Sequence, residues 1–133
     1  MARELHHLLE RVGAATTCGK LAAIPDAQGW FPGLIEGEGA VHGALYRTRA
    51  HFTLTDLARL DAYEEAIPGE PERSLYLRVE REVVLADGSL HIAQVYLFNR
   101  PPPPGAVPIH GGSFRQWLAE RGEAAFSGLR EAD

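Results

Sequence analysis

The stretch LTDLARLDAYEEA, residues 54–66, ends its helix-like pattern with two adjacent acids, Glu64 and Glu65, and carries a third, Asp61, three residues before them. Carboxylates on a helix can accept protons if the helix turns them away from water, so their direction decides their chemistry. Placed at about 100° per residue, Leu54, Leu57 and Leu60 fall at roughly 0°, 300° and 240°, and the apolar stripe centres near Leu57. Glu64 falls at roughly 280°, inside that stripe, and Glu65 at roughly 20°, on its edge. The spacing thus predicts one carboxylate toward the core and its neighbour toward solvent. Burial would disfavour the charged form of Glu64, raise its pKa and make it a proton acceptor near neutral pH. Asp61, on the same side, would raise it further by like-charge repulsion, or would cap the hollow through hydrogen bonds. The plainer expectation is that Glu64 swings to solvent or pairs with an arginine such as Arg78.

Other chemistries find less support. Six histidines are present, but no HExxH, HxH or paired Cys/His spacing, and adjacent His6 and His7 would point about 100° apart on a helix, so neither a metal nor another cofactor is expected. No GxSxG, P-loop or GxGxxG occurs; GEG and HGG read as turn glycines, and RPPPPG as a stiff extended spacer. A net charge of -5 and scattered arginines argue against nucleic acid as a partner. The 45% apolar and 23% charged shares are ordinary for a globular protein, and no apolar run approaches the roughly 18 residues of a membrane span. MARELHHLLERVG lacks the apolar h-region of a secretory signal, and a lone Cys18 suits a reducing compartment, so a cytoplasmic location is expected. The single Lys20 among many arginines, with abundant alanine and glycine, suggests a bacterial gene of high GC content.

The elements that must position the acids follow from pattern. A chain of 133 residues predicts one domain, residues 1–133. Residues 2–12 place Leu5, Leu8, Leu9 and Val12 at helical spacing and predict a first helix. Residues 14–24 predict a short strand closed by the turn PDAQG, and WFPGLIEGEG a loop whose Trp30 and Phe31 cover core. AVHGALYR predicts a strand, and Thr53 with Asp56 a capping box opening the helix that Pro68 and Gly69 end. Residues 74–85 alternate, with Leu75, Leu77, Val79 and Val83 on one face and Tyr76, Arg78, Glu80 and Glu82 on the other. ADGS turns them at Asp87-Gly88 into LHIAQVYLF, a hairpin. Ser113 with Gln116 caps a last helix that docks Phe114, Trp117 and Leu118 on the sheet, and the tail after Gly122 is expected to fray.

GWFPGLIEGEGAVHGALY, LARLDAYEE, YLR, IAQVYLF and GGSFRQWL, in this order and spacing, resemble the gamma-glutamyl cyclotransferase-like family in its branch of small bacterial and plant proteins, over roughly residues 19–118. The resemblance implies an α+β fold, a compact mixed β-barrel flanked by helices. It implies that Glu64, closing the L-D-x-x-E motif, is the general base. The α-amino nitrogen of a γ-glutamyl amine or peptide would lose a proton, attack its own γ-carbonyl and release an amine and 5-oxoproline, with no cofactor. Tyr76 and Tyr96 match positions that line the family's substrate pocket, although read alone they are ordinary strand aromatics. The implied partner is a small γ-glutamyl compound, and a homodimer is in keeping with the family. One departure stands out: nothing before the predicted first helix resembles the family's Y-G-x-L-type strand and loop, which holds the glutamyl group. The expectation is therefore either a start codon set too far downstream or a remodelled domain with lost or changed activity. The alternative function is a non-catalytic small-molecule-binding or self-assembling module on the same scaffold, with an exposed sheet edge driving association.

Overall fold

The computed structural model describes residues 7–27 and 29–122. In chain order the elements are β1 (Leu9–Asp26), β2 (Gly29–Thr48), α1 (Leu54–Tyr63), β3 (Tyr76–Leu85), β4 (Leu90–Phe98), β5 (Val107–Pro108) and α2 (Phe114–Arg121). The fold is α+β, as expected: a five-stranded sheet in the order β2-β1-β3-β4, with β5 pairing β1. All the pairings are antiparallel. The second edge of β1 is shared, residues 15–17 taking β3 and residues 22–23 taking β5. The sheet curls until β2 and β4 lie close together, with no ladder between them to close a barrel. Gly33 permits that approach, because a Cβ there would stand 3.2 Å from Ile24 and 3.3 Å from Phe98.

Two expectations need correction. Of the predicted first helix, residues 2–6 lie outside the described residues, and residues 9–12 begin β1 instead. Leu9, Glu10 and Arg11 pair with Thr48, Arg47 and Tyr46 of β2, and Val12 sits at a register shift. Leu8, just before the strand, is 2% exposed and packs with Phe52, Leu60 and Tyr63. Ladder hydrogen bonds and cross-strand contacts with β2 outweigh a weak local helix preference. The predicted short strand at 14–24 is accordingly the middle of an 18-residue strand.

The predicted loop WFPGLIEGEG is likewise part of a strand. Residues 30–35 pair with residues 20–25, and only residues 36–39 leave the ladder, as a bulge. Pro32 lacks an N–H, which an outermost strand of the sheet tolerates. The PDAQG turn is correctly placed, joining Asp26 to its partner Gly29.

The core is divided by β1. Leu21 and Ala23 join Val41, Ile109, Phe114 and Leu118 in one cluster, while Ala22 and Ile24 face a second with Tyr76 and Phe98. A strand covered on both faces reads as a continuous small apolar run, hence LAAI. Ser113 Oγ accepts from Gln116 N at 3.2 Å, starting α2 as expected, and Phe114, Trp117 and Leu118 dock as expected. The Gln116 side chain reaches Glu120 rather than turning back to the cap. The expected fraying after Gly122 lies outside the described residues. No helix among the described residues is long and apolar enough to cross a membrane.

Candidate functional site

Helix α1 begins with the expected capping box: Thr53 Oγ1 accepts from Asp56 N, and Asp56 Oδ2 accepts from Thr53 N. It ends earlier than Pro68, in a Schellman motif. Glu64 is the C-cap, its N–H donating to Leu60 O at 3.1 Å. Glu65 follows with φ 55; its N–H donates to Ala62 O, and Ala66 N–H donates to Asp61 O. Leu75 N–H then donates to Glu65 O, tying the helix end to the start of β3. Ser74, almost wholly buried, pins the intervening loop by accepting from Ile67 N and donating to Glu70 O.

This ending turns Glu64 inward and Glu65 outward, as the helical wheel predicts. Glu64 is 5% exposed and Asp61 is 4% exposed. The other end of the stripe differs, since Leu54 is 85% exposed. The buried face of α1 therefore belongs to its second half, where two apolar residues, Leu57 and Leu60, are succeeded by two acids.

Asp61 is the hub of a polar cluster. Its Oδ1 accepts from Arg78 Nε at 2.9 Å and from the Tyr96 hydroxyl at 2.7 Å. Arg78 and Tyr96 stand opposite one another across the β3–β4 ladder. Arg78 Nη1 also donates to Gln94 Oε1 at 2.8 Å, and Gln94 Nε2 donates to Glu80. Arg78, offered as one arginine that Glu64 could pair with, is ion-paired with Asp61 instead. Asp61 fills its predicted hydrogen-bonding role. Burial, then the hydrogen bond to Asp61, then the charges of Asp61 and Glu64 push the Tyr96 hydroxyl well above its ordinary value, with Arg78 opposing them. Tyr96 therefore remains a neutral donor, and Glu64, whose Oε1 is fully buried, lies close enough to act on it electrostatically.

Three hollows meet at this cluster, and Arg78 borders each. One of about 370 Å³ lies between Leu57 and Leu60 of α1 and the sheet, and Tyr96 borders it. A second, of about 250 Å³, is bordered by Asp61, Ser74 and Tyr76. A third, of about 440 Å³, lies along α1 beside Leu54, Ala58 and Asp61. Glu64 is not among the residues bordering these three. Tyr76 is buried in the core, its ring edge-on to Phe98 and its hydroxyl donating to Pro32 O at 2.8 Å. The structure thus gathers Glu64, Asp61 and Tyr96, and holds Tyr76 one ladder step from Arg78 along the same strand face.

Sequence reasoning missed the place of Arg78. Its signal was present in the strand alternation, which puts Arg78 on one face with Tyr76, but which acid it meets depends on how the helix end docks.

The comparisons with known proteins agree with this fold. Among solved structures, the chain is similar to an uncharacterised protein of Pyrococcus horikoshii, at 15% identity and a TM-score of 0.54, over 86% of this chain and 78% of that one. It is also similar to the allophanate hydrolase of Kluyveromyces lactis, at 17% identity and a TM-score of 0.58, over 89% of this chain but 18% of that one. At such identities the likeness concerns the fold. No match was found among curated proteins. The sequence does match the family described as gamma-glutamyl cyclotransferase, AIG2-like, over residues 1–116. That span takes in the whole sheet and the LDAYEE helix end, and the chain belongs to the gamma-glutamyl cyclotransferase, AIG2-like family.

Proposed function

We propose that the protein is a gamma-glutamyl cyclotransferase, with Glu64 as the general base. The observation that carries this reading is the burial of Glu64 at the C-cap of α1, next to Asp61 and Tyr96. A carboxylate removed from water favours its protonated form, which suits it to take a proton and return it. In the reaction, Glu64 removes a proton from the α-amino group of a γ-glutamyl amine or peptide. The freed nitrogen forms a bond to the γ-carbonyl carbon, the bond from that carbon to the amide nitrogen breaks, and the proton passes to the departing amine. The products are 5-oxoproline and the free amine. Tyr96 keeps its proton and fixes Asp61, so that the second acid is held in place. Tyr76 and Tyr96 are the proposed substrate-lining aromatics, each bordering a hollow next to Asp61 or α1.

The test is formation of 5-oxoproline from γ-glutamyl amides by the purified protein, read by mass spectrometry. The Glu64→Gln variant, with unchanged circular dichroism, is expected to lose activity by about 10² to 10⁴-fold, the usual worth of a positioned base. Full activity in that variant would remove Glu64 from the mechanism, and no product from any γ-glutamyl amide would end the cyclotransferase reading. A second reading, a self-assembling module, draws on Leu90 and Ile92, which are 59% and 63% exposed on β4, the last strand of the sheet order. Sedimentation at increasing concentration tests it, and a monomer throughout would count against it.

A further inference from the structure

The hollow beneath α1 has one chemical character and its border another. Leu9, Leu45, Phe52, Leu57, Leu60 and Val95 give it apolar walls drawn from β1, β2, α1, β4 and the segment before the helix. Its volume, about 370 Å³, falls within the range of small-molecule sites, roughly 300 to 1,000 Å³. Arg78 is the one charged residue on its border among the described residues. A guanidinium has five N–H donors. Arg78 uses one at Nε for Asp61 and one at Nη1 for Gln94, so the second Nη1 hydrogen and both on Nη2 remain for a ligand. The side chain is partly exposed, whereas Asp61, which holds it, is buried. Such a fork, held by a buried acid and with donors to spare, is suited to a carboxylate, which it can engage through two parallel hydrogen bonds.

We propose that this hollow is a specificity pocket for an acid amide: Arg78 takes the ligand's carboxylate and the apolar walls take the group on its amide nitrogen. On the cyclotransferase reading, on which this identification of the ligand rests, the carboxylate is the α-carboxylate of the glutamyl unit. The departing amine is then apolar, an aryl-alkyl or branched alkyl amine rather than a polyamine or an amino alcohol. The two groups would sit on opposite sides of the γ-carbonyl.

N-phenethylglutaramic acid tests the pocket without turnover. It keeps the carboxylate, the amide and an apolar amine, and it lacks the α-amino group needed for cyclisation. Calorimetric titration of the whole protein is expected to show binding that weakens about tenfold to a hundredfold for its methyl ester, through loss of charged hydrogen bonds. The N-(2-hydroxyethyl) analogue is expected to bind at least about tenfold more weakly, through loss of apolar burial. Arg78→Gln should abolish the difference between acid and ester. If that variant fails to fold, the acid, ester and hydroxyethyl comparison on the unaltered protein decides the matter alone. Equal binding of acid and ester, equal binding of the phenethyl and hydroxyethyl amides, or no binding at all would overturn the pocket. Selective binding of the acid, without 5-oxoproline from γ-glutamyl-phenethylamide, would end the cyclotransferase reading and leave the pocket standing.

Discussion

Glu65 holds φ 55, the one positive φ outside glycine among the described residues. An L residue in the left-handed region is disfavoured by about 1–2 kcal/mol, and the Schellman position it occupies is usually glycine. Replacing it with glycine removes that strain but adds chain entropy to the unfolded state. Glu65→Gly is therefore expected to stabilise the protein by roughly 0.5–1 kcal/mol, raising the urea midpoint with an unchanged slope. Tyr96 makes a second prediction at this scale. Its hydroxyl is raised above its ordinary 10.0, first by burial and then by Asp61. A group raised on folding contributes its stability in full below the unfolded value and loses it as pH climbs, because the unfolded chain sheds the proton first. Stability should thus decline above about pH 10, and Tyr96→Phe should flatten that decline while costing about 1–2 kcal/mol at neutral pH through the lost hydrogen bond to Asp61. Denaturant melts at pH 8, 10 and 11 on both proteins measure this.

Among the elements, α1 matters most because its end sets the direction of Glu64. Its start is secured by a reciprocal box between Thr53 and Asp56. Thr53→Ala is expected to cost about 1 kcal/mol, as other cap deletions do, in thermal or urea unfolding. The Asp56 carboxyl is held below its ordinary 3.8 chiefly by the backbone N–H of Thr53. The box is therefore at full strength above that value and weakens as pH falls through the lower folded one. The β3–β4 hairpin shows how a local detail places a site residue. A two-residue loop at Asp87-Gly88 would set Leu97 opposite Arg78. The observed link leaves Gly88 at φ 87, with Leu85 N–H donating to Ser89 O, and Tyr96 is opposite Arg78 instead. A one-residue change in register exchanges faces, so this turn decides whether the Asp61 cluster forms.

At the scale of the whole molecule, α2 and the loop before it lock β2 onto the rest. Gly112 has φ 75, and a Cβ there would stand 2.1 Å from Ala40 O on β2, while its own carbonyl accepts from His42 N at 2.7 Å. Gly112→Ala must displace backbone, so a loss of more than about 2 kcal/mol is expected, among the larger single-site effects. Gly111→Ala, where nothing stands within 4 Å of the added carbon, is the control and should melt close to the parent protein. A large drop in melting temperature for Gly112→Ala alone places the cause in the left-handed backbone of Gly112 and its close approach to β2, not in a methyl added to this loop.

Local chemistry in the chain determined much of this protein. The Thr53 cap, the inward Glu64 and outward Glu65, the alternating hairpin strands, the PDAQG turn and the docking face of α2 follow from side-chain period and turn residues, which act over a few positions. The family resemblance was also legible, in the order of its short motifs. Tertiary structure decided what depends on distant partners. The leucines at 5, 8 and 9 suit a helix, yet residues 9–12 extend because Thr48, Arg47 and Tyr46 supply a ladder. WFPGLI is rich in loop formers, yet it pairs because residues 20–25 lie alongside it. Arg78 could have met either acid of α1, and it meets Asp61 because the left-handed Glu65 and the bond from Leu75 seat the helix end at that height on β3. Backbone pairing and ion pairing between remote segments are settled by the packing of the whole chain, and no window of sequence contains them.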